Sequence, residues 1–341
     1  MKVDEKSNIL IQKLMEENPN TKLSIGYLHK GETSFKLFDA TGEIPYESYA
    51  YEIASISKVF TTSLLAKYLQ EGKMNLSDSV AKYIPELDKN KYYPTLQRLA
   101  THTAGYQTEA LTLLEMIKLS IAHTRMIKRK KPSSCYWNGF FMDYKKLIWF
   151  ANKNKLEDKD YDWGYSDYSI ALLAEAICQI VGKPFDELMT ELLNYELGLK
   201  YTKTTTDRPD MLDGYFFNHN VGTMKAYRNG DYTAPAGGIT STAEDMLKFA
   251  KMNIEENPSY LGLCHKTYAS GQEHFNMGLG WLIWTNQEHE THAHLGGSEG
   301  FSGNLAFRKG PKTATVVLTN CGTHGVADEL SKAIFQANAD D

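Results

Sequence analysis

The chain has 341 residues, of which 42% are hydrophobic and 23% are charged, and its formal net charge is -5 at pH 7. This length allows one large domain or two lobes around a sizeable core. The slight negative charge gives no electrostatic reason to expect a nucleic acid partner. The four cysteines are widely spaced and form no C-x-x-C pair, so they indicate neither a zinc knuckle nor a disulfide framework.

The first twenty residues predict an amphipathic helix with Ile9, Leu10, Ile11 and Leu14 on its inward face. They contain no sustained apolar run of the kind that marks a signal peptide. The location therefore stays open: cytoplasmic if the sequence is complete, and cell-surface or extracytoplasmic if a leader was removed. No run of about 18 apolar residues occurs, so no membrane span is predicted.

Two strands joined by a turn at Gly31 follow, because apolar residues alternate in "TKLSIGYLHKGE" and "TSFKLFDATGE". An apolar helix is predicted next in "YEIASISKVFTTSLLAKYL", which spans residues 51–69. From about residue 80 to 270, helical patterns alternate with polar loops. The segments "MGLGWLIWT", "GFSGNLAFRKG" and "TATVVLTNCG" are then consecutive strand candidates, and "GVADELSKAIFQA" is a closing helix.

This order predicts an α+β fold in which helices flank an antiparallel sheet built from both ends of the chain. We expect a single domain over residues 1–341. Residues 1–80 and 270–341 would form the sheet lobe, and residues 81–269 would form a mainly helical lobe. The active site is expected in the cleft between the two lobes.

Ser55 and Lys58 interrupt the apolar helix at positions i and i+3, which places both side chains on the same face. Apolar neighbours would desolvate the lysine and favour its neutral form, which can accept a proton from a serine hydroxyl. The alternative is a helix cap with a lysine that reaches solvent. The second S-x-x-K match, Ser79 to Lys82, shows that the spacing also arises by chance.

Tyr165 and Asp167 lie in "DWGYSDYSIALLAEAI", just before an apolar helix. A nearby ammonium would help the tyrosine to lose its proton. The alternative is an aromatic packing residue whose hydroxyl is satisfied within the protein.

The segment "HAHLGGSEGFSGNLAF" contains His294, Gly296 and Gly297 along a strand edge. Glycines allow a close approach of the backbone, and an N–H at such an edge can bind an oxyanion. A bulge followed by a tight turn is the alternative. His292 and His294 alternate onto one face, but two histidines without further ligands are a weak metal signal.

The order S-x-x-K, Y-S-x and H-x-G, followed by G-x-x-G-F, resembles the serine β-lactamase and penicillin-binding-protein superfamily. The similarity is strongest to the branch that holds class C β-lactamases, D,D-carboxypeptidases, D-aminopeptidases and β-lactamase-like esterases. The segments "LATHTAGY" and "APAGGITSTAEDMLKFAKM" match as well. The resemblance extends from about residue 20 to the end of the chain, and it implies a β-lactamase/transpeptidase-like fold.

The resemblance also implies roles for individual residues. Ser55 would be the acylated nucleophile, Lys58 the proton acceptor, and Tyr165 the general base that relays protons to the leaving group and to water. The backbone N–H groups of Ser55 and Gly297 would form the oxyanion hole. No metal or other cofactor is implied.

Substrate contacts are implied for Asp167, His294 and Gly296, and two of these residues depart from the family pattern. Asp167 replaces the usual asparagine, so it can only accept hydrogen bonds when ionised, and it could hold Lys58 protonated. His294 stands where many relatives have the lysine of K-T-G. We therefore expect recognition of a substrate carboxylate to be weaker or pH-dependent.

The stretch 107–162 is longer than the usual connection before the Tyr-Ser motif. Its basic run at 128–131 favours a solvated loop. The alternative is a lid over the cleft, or a segment that touches a membrane surface, formed with the aromatic residues Tyr136, Trp137, Phe140 and Phe141.

The sequence therefore predicts a serine hydrolase that forms an acyl-enzyme at Ser55 with a small-molecule or peptide substrate. A penicillin-binding protein or a class C-like β-lactamase is the first interpretation. An esterase or a D-amino-acid peptidase on the same scaffold is the second. A weakly catalytic homologue that binds peptides or a protein partner is the third.

Overall fold

The computed structural model describes residues 1–132, 141–223, 231–272, 274–286, 289–322 and 325–339. Its central feature is a sheet of nine described strands in the order β3-β2-β1-β13-β12-β11-β10-β9-β8, and every neighbouring pair is antiparallel. Two small two-stranded sheets, β4-β7 and β5-β6, lie outside it. The strands are β1 Leu23–His29, β2 Glu32–Asp39, β3 Gly42–Ile44, β4 Tyr51–Glu52, β5 Gly214–Phe216, β6 His219–Gly222, β7 Thr240–Ser241, β8 Ala269–Ser270, β9 Asn276–Met277, β10 Leu282–Thr285, β11 Glu290–Gly297, β12 Ser302–Arg308 and β13 Thr313–Thr319.

The helices of the described residues fall mainly between the two groups of sheet strands. They are α1 Glu5–Glu17, α2 Ser57–Gln70, α3 Leu96–Ala100, α4 Leu113–Arg129, α5 Tyr144–Lys153, α6 Asp167–Val181, α7 Phe185–Glu191, α8 Ala234–Gly237, α9 Ala243–Glu255 and α10 Val326–Ala337. Short 3₁₀ segments occur at Ala54–Ile56, Val80–Lys82 and Ser259–His265, and a π-helical segment occurs at Leu192–Glu196.

The sheet joins the two ends of the chain through β1 and β13. These strands pair antiparallel from Leu23 opposite Thr319 to His29 opposite Thr313. The predicted hairpin is confirmed, because β1 and β2 pair along their whole length around a turn at Lys30 and Gly31. Both turn residues have positive φ, of 47° and 92°, as the two-residue turns that suit twisted strands require.

The sheet is covered on both faces, which explains why all seven residues of "TATVVLT" are buried. In β13, Val317 packs with α1 and α10, whereas Val316 and Leu318 belong to the larger core on the other face. Helix α9 packs on that second face against β1, β12 and β13. A strand buried on both sides needs no polar alternation. The predicted α+β fold with a flanked antiparallel sheet is therefore confirmed.

The buried face of α1 differs from the predicted one. Ile11 and Leu14 are buried as expected, together with Ser7 and Met15, but Ile9 is 59% exposed. Positions 7, 11, 14 and 15 follow the helical period, and position 9 points away from them. The prediction for Ile9 was wrong because the apolar run at residues 9–11 includes a position that lies outside the buried face of the helix.

The division into lobes stays a prediction. Helix α9 belongs by sequence to the range 81–269 expected for the helical lobe, yet it packs on the sheet. No helix within the described residues combines the length and the apolar character needed to cross a membrane.

Candidate active site

Ser55 occupies a short 3₁₀ turn, Ala54–Ile56, that leads directly into helix α2. Ala54 has a positive φ of 45°, a left-handed conformation that costs energy for any residue with a side chain. The turn is tied to the strand segment next to it by the hydrogen bond from the Ile53 N–H to the Ile239 carbonyl, 3.0 Å long. Ser55 is partly exposed although its neighbours are buried. The turn thus presents the hydroxyl at the N-terminal end of a helix.

Gly296 lets strand β11 approach this turn. A Cβ atom at position 296 would lie 2.1 Å from the carbonyl oxygen of Ile53, which no side chain can tolerate. Gly297, the last residue of β11, lines the same cleft as Ser55. The strand edge therefore lies beside the serine because position 296 has no side chain.

Lys58 is fully buried, and its ammonium has polar neighbours on several sides. Its Nζ lies 3.0 Å from Ser55 Oγ, 2.8 Å from the carbonyl oxygen of Ala236 and 2.6 Å from Asp167 Oδ1. The Tyr165 ring centroid is 4.7 Å away. Helices α2, α6 and α8 thus meet at one amine.

Of the two influences that the sequence predicts for Lys58, apolar burial and the charge of Asp167, the second dominates in the resting protein. Burial by itself lowers the pKa of the ammonium, but the negative charge of Asp167 and the nearby Tyr165 outweigh it, so the pKa of Lys58 is raised. The decisive charge comes from α6, 109 positions further along the chain.

Tyr165 lies two residues before helix α6, which begins at Asp167. The Ser166 hydroxyl caps this helix by accepting a hydrogen bond from the Ser169 N–H at 3.0 Å. The ring of His102 packs 4.8 Å from the ring of Tyr165, and His102 Nδ1 accepts a hydrogen bond from the Ser166 N–H at 3.2 Å. His102 lies in the segment "THTAGY" and is held neutral, because burial lowers its pKa far below the usual value.

Lys58 lowers the pKa of Tyr165 as predicted, but burial has the larger and opposite effect. Burial raises the pKa of Tyr165 to about 12, and the Asp167 charge adds to this, although Lys58 and Ser55 lower it. Tyr165 therefore holds its proton in the resting protein.

Sequence reasoning missed Glu109. The chain segment around it lies along the start of α6, where Thr108 makes two hydrogen bonds. The Thr108 hydroxyl donates to the Tyr165 carbonyl at 2.9 Å, and the Thr108 carbonyl accepts from the Tyr168 N–H at 3.0 Å. The pKa of the Glu109 carboxyl is raised well above its usual value by burial and by the charge and hydrogen bond of Asp167. A lone glutamate in a polar loop carries no sequence signal of this proximity.

His294 lines the cleft as predicted, but it supplies no charge there. Its Nδ1 lies 2.7 Å from the Leu295 carbonyl oxygen, which can only accept, so this nitrogen carries the proton. Burial and, second, the charge of Lys58 lower the pKa of His294 to about 3. The expected titration near neutral pH is therefore wrong, because the ring is desolvated beside an ammonium.

The cleft itself has a volume of about 380 Å³. Its described lining combines Ser55, Tyr165 and the β11 edge with apolar side chains, and no lysine or arginine is among these described residues. The apolar lining residues are Trp163, Phe275, Leu282, Leu295 and Ala327. Asp167 contacts Lys58 rather than lining this volume.

The other histidine and the second S-x-x-K match have structural partners. His292 Nε2 lies 3.2 Å from the His265 carbonyl oxygen, and its ring stacks on Phe307. Ser79 caps the short segment Val80–Lys82, and Lys82 pairs with Asp78 at 2.9 Å. Chance spacing explains this second match.

The arrangement of the sheet, the flanking helices and the cleft defines the β-lactamase/transpeptidase fold. A solved β-lactamase/D-alanine carboxypeptidase from Pseudomonas syringae superposes with a TM-score of 0.78 at 21% identity over 98% of both chains. A class C β-lactamase from Rhodobacter sphaeroides superposes with the same score at 18% identity over 99% of both. At these identities the likeness establishes the fold.

The family follows from the sequence comparison, because the Beta-lactamase family model matches residues 10–339. The chain belongs to the Beta-lactamase family, and its homologues indicate a hydrolase of the serine β-lactamase type. It is 25% identical to a β-lactamase of Pseudomonas fluorescens over 80% of this chain and 72% of that one. It is 26% identical to the D-alanyl-D-alanine-carboxypeptidase/endopeptidase AmpH of Escherichia coli K12 over 60% of this chain. The chain spans 49% of AmpH and 47% of a β-lactamase from Providencia stuartii that it also matches.

We predict that Gly296→Ala disrupts the site. The added methyl group must displace either β11 or the serine turn, at a cost of about 1–3 kcal/mol in the free energy of unfolding, and reaction at Ser55 should slow with it. Denaturant unfolding and the rate of ester hydrolysis measure the two effects. Gly310→Ala is the matched control, because position 310 has open space around it. Equal behaviour of the two variants would refute the close-approach argument.

We predict that Asp167→Asn makes Lys58 a better base. Without the carboxylate, burial lowers the Lys58 pKa, so the rising limb of the pH–rate profile should move down by about 1–3 pH units. Acylation by a penicillin at neutral pH should therefore become faster. Asp328→Asn is the control, since that carboxylate lines the cleft but pairs with Lys332. An unchanged profile, or slower acylation, would contradict the prediction.

We predict that Glu109 makes stability depend on pH. Its folded-state pKa lies above the ordinary value of 4.5, so the folded protein keeps this proton to higher pH than the unfolded chain. The free energy of unfolding then falls as pH rises between those two pKa values. Glutamine keeps a hydrogen-bond donor and never ionises.

The melting temperature of Glu109→Gln minus that of wild type should therefore increase as pH rises from about 4 to about 7. Glu109→Ala should show the same pH trend from a lower starting point, because it also lacks the donor. A constant difference between Glu109→Gln and wild type across this range would show that Glu109 ionises normally.

Proposed function

We propose that the protein is a serine hydrolase that forms an acyl-enzyme at Ser55 with an amide or ester substrate. The main support is the contact of 3.0 Å between Ser55 Oγ and Lys58 Nζ in a cleft that is open to a substrate. A hydroxyl beside a buried amine, at the N-terminal end of a helix, is the arrangement that nucleophilic catalysis needs.

In the proposed acylation step, the neutral form of Lys58 accepts the Ser55 proton while Oγ bonds to the substrate carbonyl carbon. The carbonyl electron pair moves to oxygen, which the N–H groups of Ser55 and Gly297 stabilise. Tyr165 then gives its proton to the leaving nitrogen or oxygen as that bond breaks, and Lys58 returns a proton to Tyr165. In deacylation, water attacks the acyl carbon while its proton passes to the base, and Ser55 Oγ leaves with a proton as the acyl group is released.

This scheme makes use of the raised pKa of Tyr165, because a protonated phenol is ready to act as an acid. The raised pKa of Lys58 works against the scheme, because the amine must first lose a proton. We therefore expect activity to increase with pH until Lys58 is neutral.

The relatives favour a β-lactam or a D-alanyl peptide as the substrate. The Pseudomonas fluorescens protein is named a β-lactamase, and AmpH is named a D-alanyl-D-alanine-carboxypeptidase/endopeptidase. A groove of about 1390 Å³ shares Trp163 and Phe275 with the cleft, which would suit a peptide longer than the reacting bond.

The charge of the cleft favours the second candidate, an esterase or D-amino-acid peptidase. A substrate carboxylate is best held by a fixed cation. Here the third motif has a neutral histidine, and the described cleft lining contributes apolar surface. A weakly catalytic binding homologue is the third candidate.

The test is intact-mass spectrometry and product release with penicillins, cephalosporins, D-Ala-D-Ala peptides and p-nitrophenyl esters. Wild type should gain the mass of the acyl group, and Ser55→Ala should not. Ser79→Ala, at the other S-x-x-K match, should behave as wild type. A penicillin adduct supports the first candidate, and ester turnover without one supports the second. An adduct that persists in Ser55→Ala, or silence with every substrate, would overturn the proposal.

A further inference from the structure

Helix α4 carries apolar side chains on the side that faces away from the protein. Leu113, Ile117 and Ile121 follow one another at intervals of four residues and are 70%, 50% and 47% exposed. On the opposite side, Leu119 and Met126 are buried against the protein. The helix is therefore apolar on two faces, and the protein covers one of them.

This exposure is concentrated on one element. Eleven large hydrophobic side chains are exposed in the described part of the chain, and five of them belong to α4. These five are Leu113, Ile117 and Ile121 together with Leu114 and Ile127. Single exposed apolar residues need no explanation, but a contiguous patch marks a surface that binds something apolar.

The same helix is strongly basic, although the chain as a whole has a net charge of -5. Residues 113–131 contain six basic side chains and one acidic one; the basic residues are Lys118, Arg125, Lys128, Arg129, Lys130 and Lys131. The acidic residue, Glu115, is engaged in the helix cap with Thr112 and lies 3.5 Å from Lys146. Within residues 113–131, the exposed apolar face is thus bordered by cations, and the one carboxylate of this segment is already paired.

We propose that the exposed face of α4 binds the surface of an anionic lipid bilayer. Leu113, Ile117 and Ile121 would enter the interface between headgroups and acyl chains, and the basic side chains would lie among the lipid phosphates. Charge decides against a second copy of this chain as the occupant. A symmetric dimer on this face would bring two basic helices together.

Binding at α4 would hold the cleft near the membrane surface. The helix continues directly from residues 107–112, and Thr108 in this segment is hydrogen-bonded to Tyr165 and Tyr168. The aromatic residues Tyr136, Trp137 and Phe140, which the sequence analysis grouped with the lid, lie outside the described residues. The lid itself stays a prediction.

The test is vesicle flotation with phosphatidylcholine alone and with equal parts of phosphatidylcholine and phosphatidylglycerol. Wild type should bind the anionic vesicles and should be released by salt. Ile117→Asp should weaken this binding by about tenfold or more. Ile180→Asp is the matched control, because Ile180 is 44% exposed on α6, and its binding should stay within about twofold of wild type.

A triple variant with Lys118→Glu, Arg125→Glu and Lys128→Glu should lose the preference for anionic vesicles and keep its melting temperature within a few degrees of wild type. Binding to neutral vesicles that equals binding to anionic ones, or equal losses in Ile117→Asp and Ile180→Asp, would overturn the proposal. A monomer–dimer equilibrium that Ile117→Asp abolishes, without vesicle binding, would assign the face to a second copy.

Discussion

The buried ammonium of Lys58 is the constraint that organises the site. A charge removed from water is costly unless it is paired and hydrogen-bonded. Here the Ser55 turn, the Ala236 carbonyl and the Asp167 carboxylate lie within 3.0 Å of the amine. Each partner belongs to a different segment, so the amine can be satisfied only when the turn, α8 and the start of α6 are all in place. Forming the reactive serine is therefore coupled to packing the helices around it.

The same ion pair sets the protonation state from which a reaction must start. Asp167 offsets the burial of Lys58 and keeps it charged, and burial keeps Tyr165 protonated. Glu109 adds a second carboxyl beside Asp167, and its raised pKa follows from the same crowding of negative charge. An asparagine at position 167 would satisfy the amine with a neutral oxygen. The aspartate binds the Lys58 ammonium more strongly than asparagine would, but it makes the lysine a weaker base. The contact that stabilises the site therefore lowers its expected reactivity.

Sequence patterns predicted the parts of the fold that depend on neighbours in the chain. The hairpin around Gly31 and the strands after residue 270 follow from local periodicity. The helix predicted over residues 51–69 begins only at Ser57, and Ser55 contacts Lys58 from the 3₁₀ turn before it. The pattern named both influences on Lys58, its apolar neighbours and Asp167, but which of them dominates depends on the fold, and so does the burial that raises the pKa of Tyr165. Glu109 was missed for the same reason, since hydrogen bonds between segments 57 positions apart, such as that from Thr108 to Tyr165, place it beside Asp167.

Charge is also distributed unevenly between the interior of the cleft and the outside of the molecule. The third motif contributes a neutral ring, and the carboxylate of Asp328 in the described lining pairs with Lys332. The rest of that lining is mostly apolar, so the cleft is suited to select a substrate by shape and by its uncharged parts. The cations concentrate on α4, where screening by salt limits their reach to about 10 Å. In the proposed role, such cations would act on an extended anionic surface at contact range rather than on a small substrate inside the cleft. If both proposals hold, the cleft would determine which bond is attacked, and α4 would determine where the protein is held.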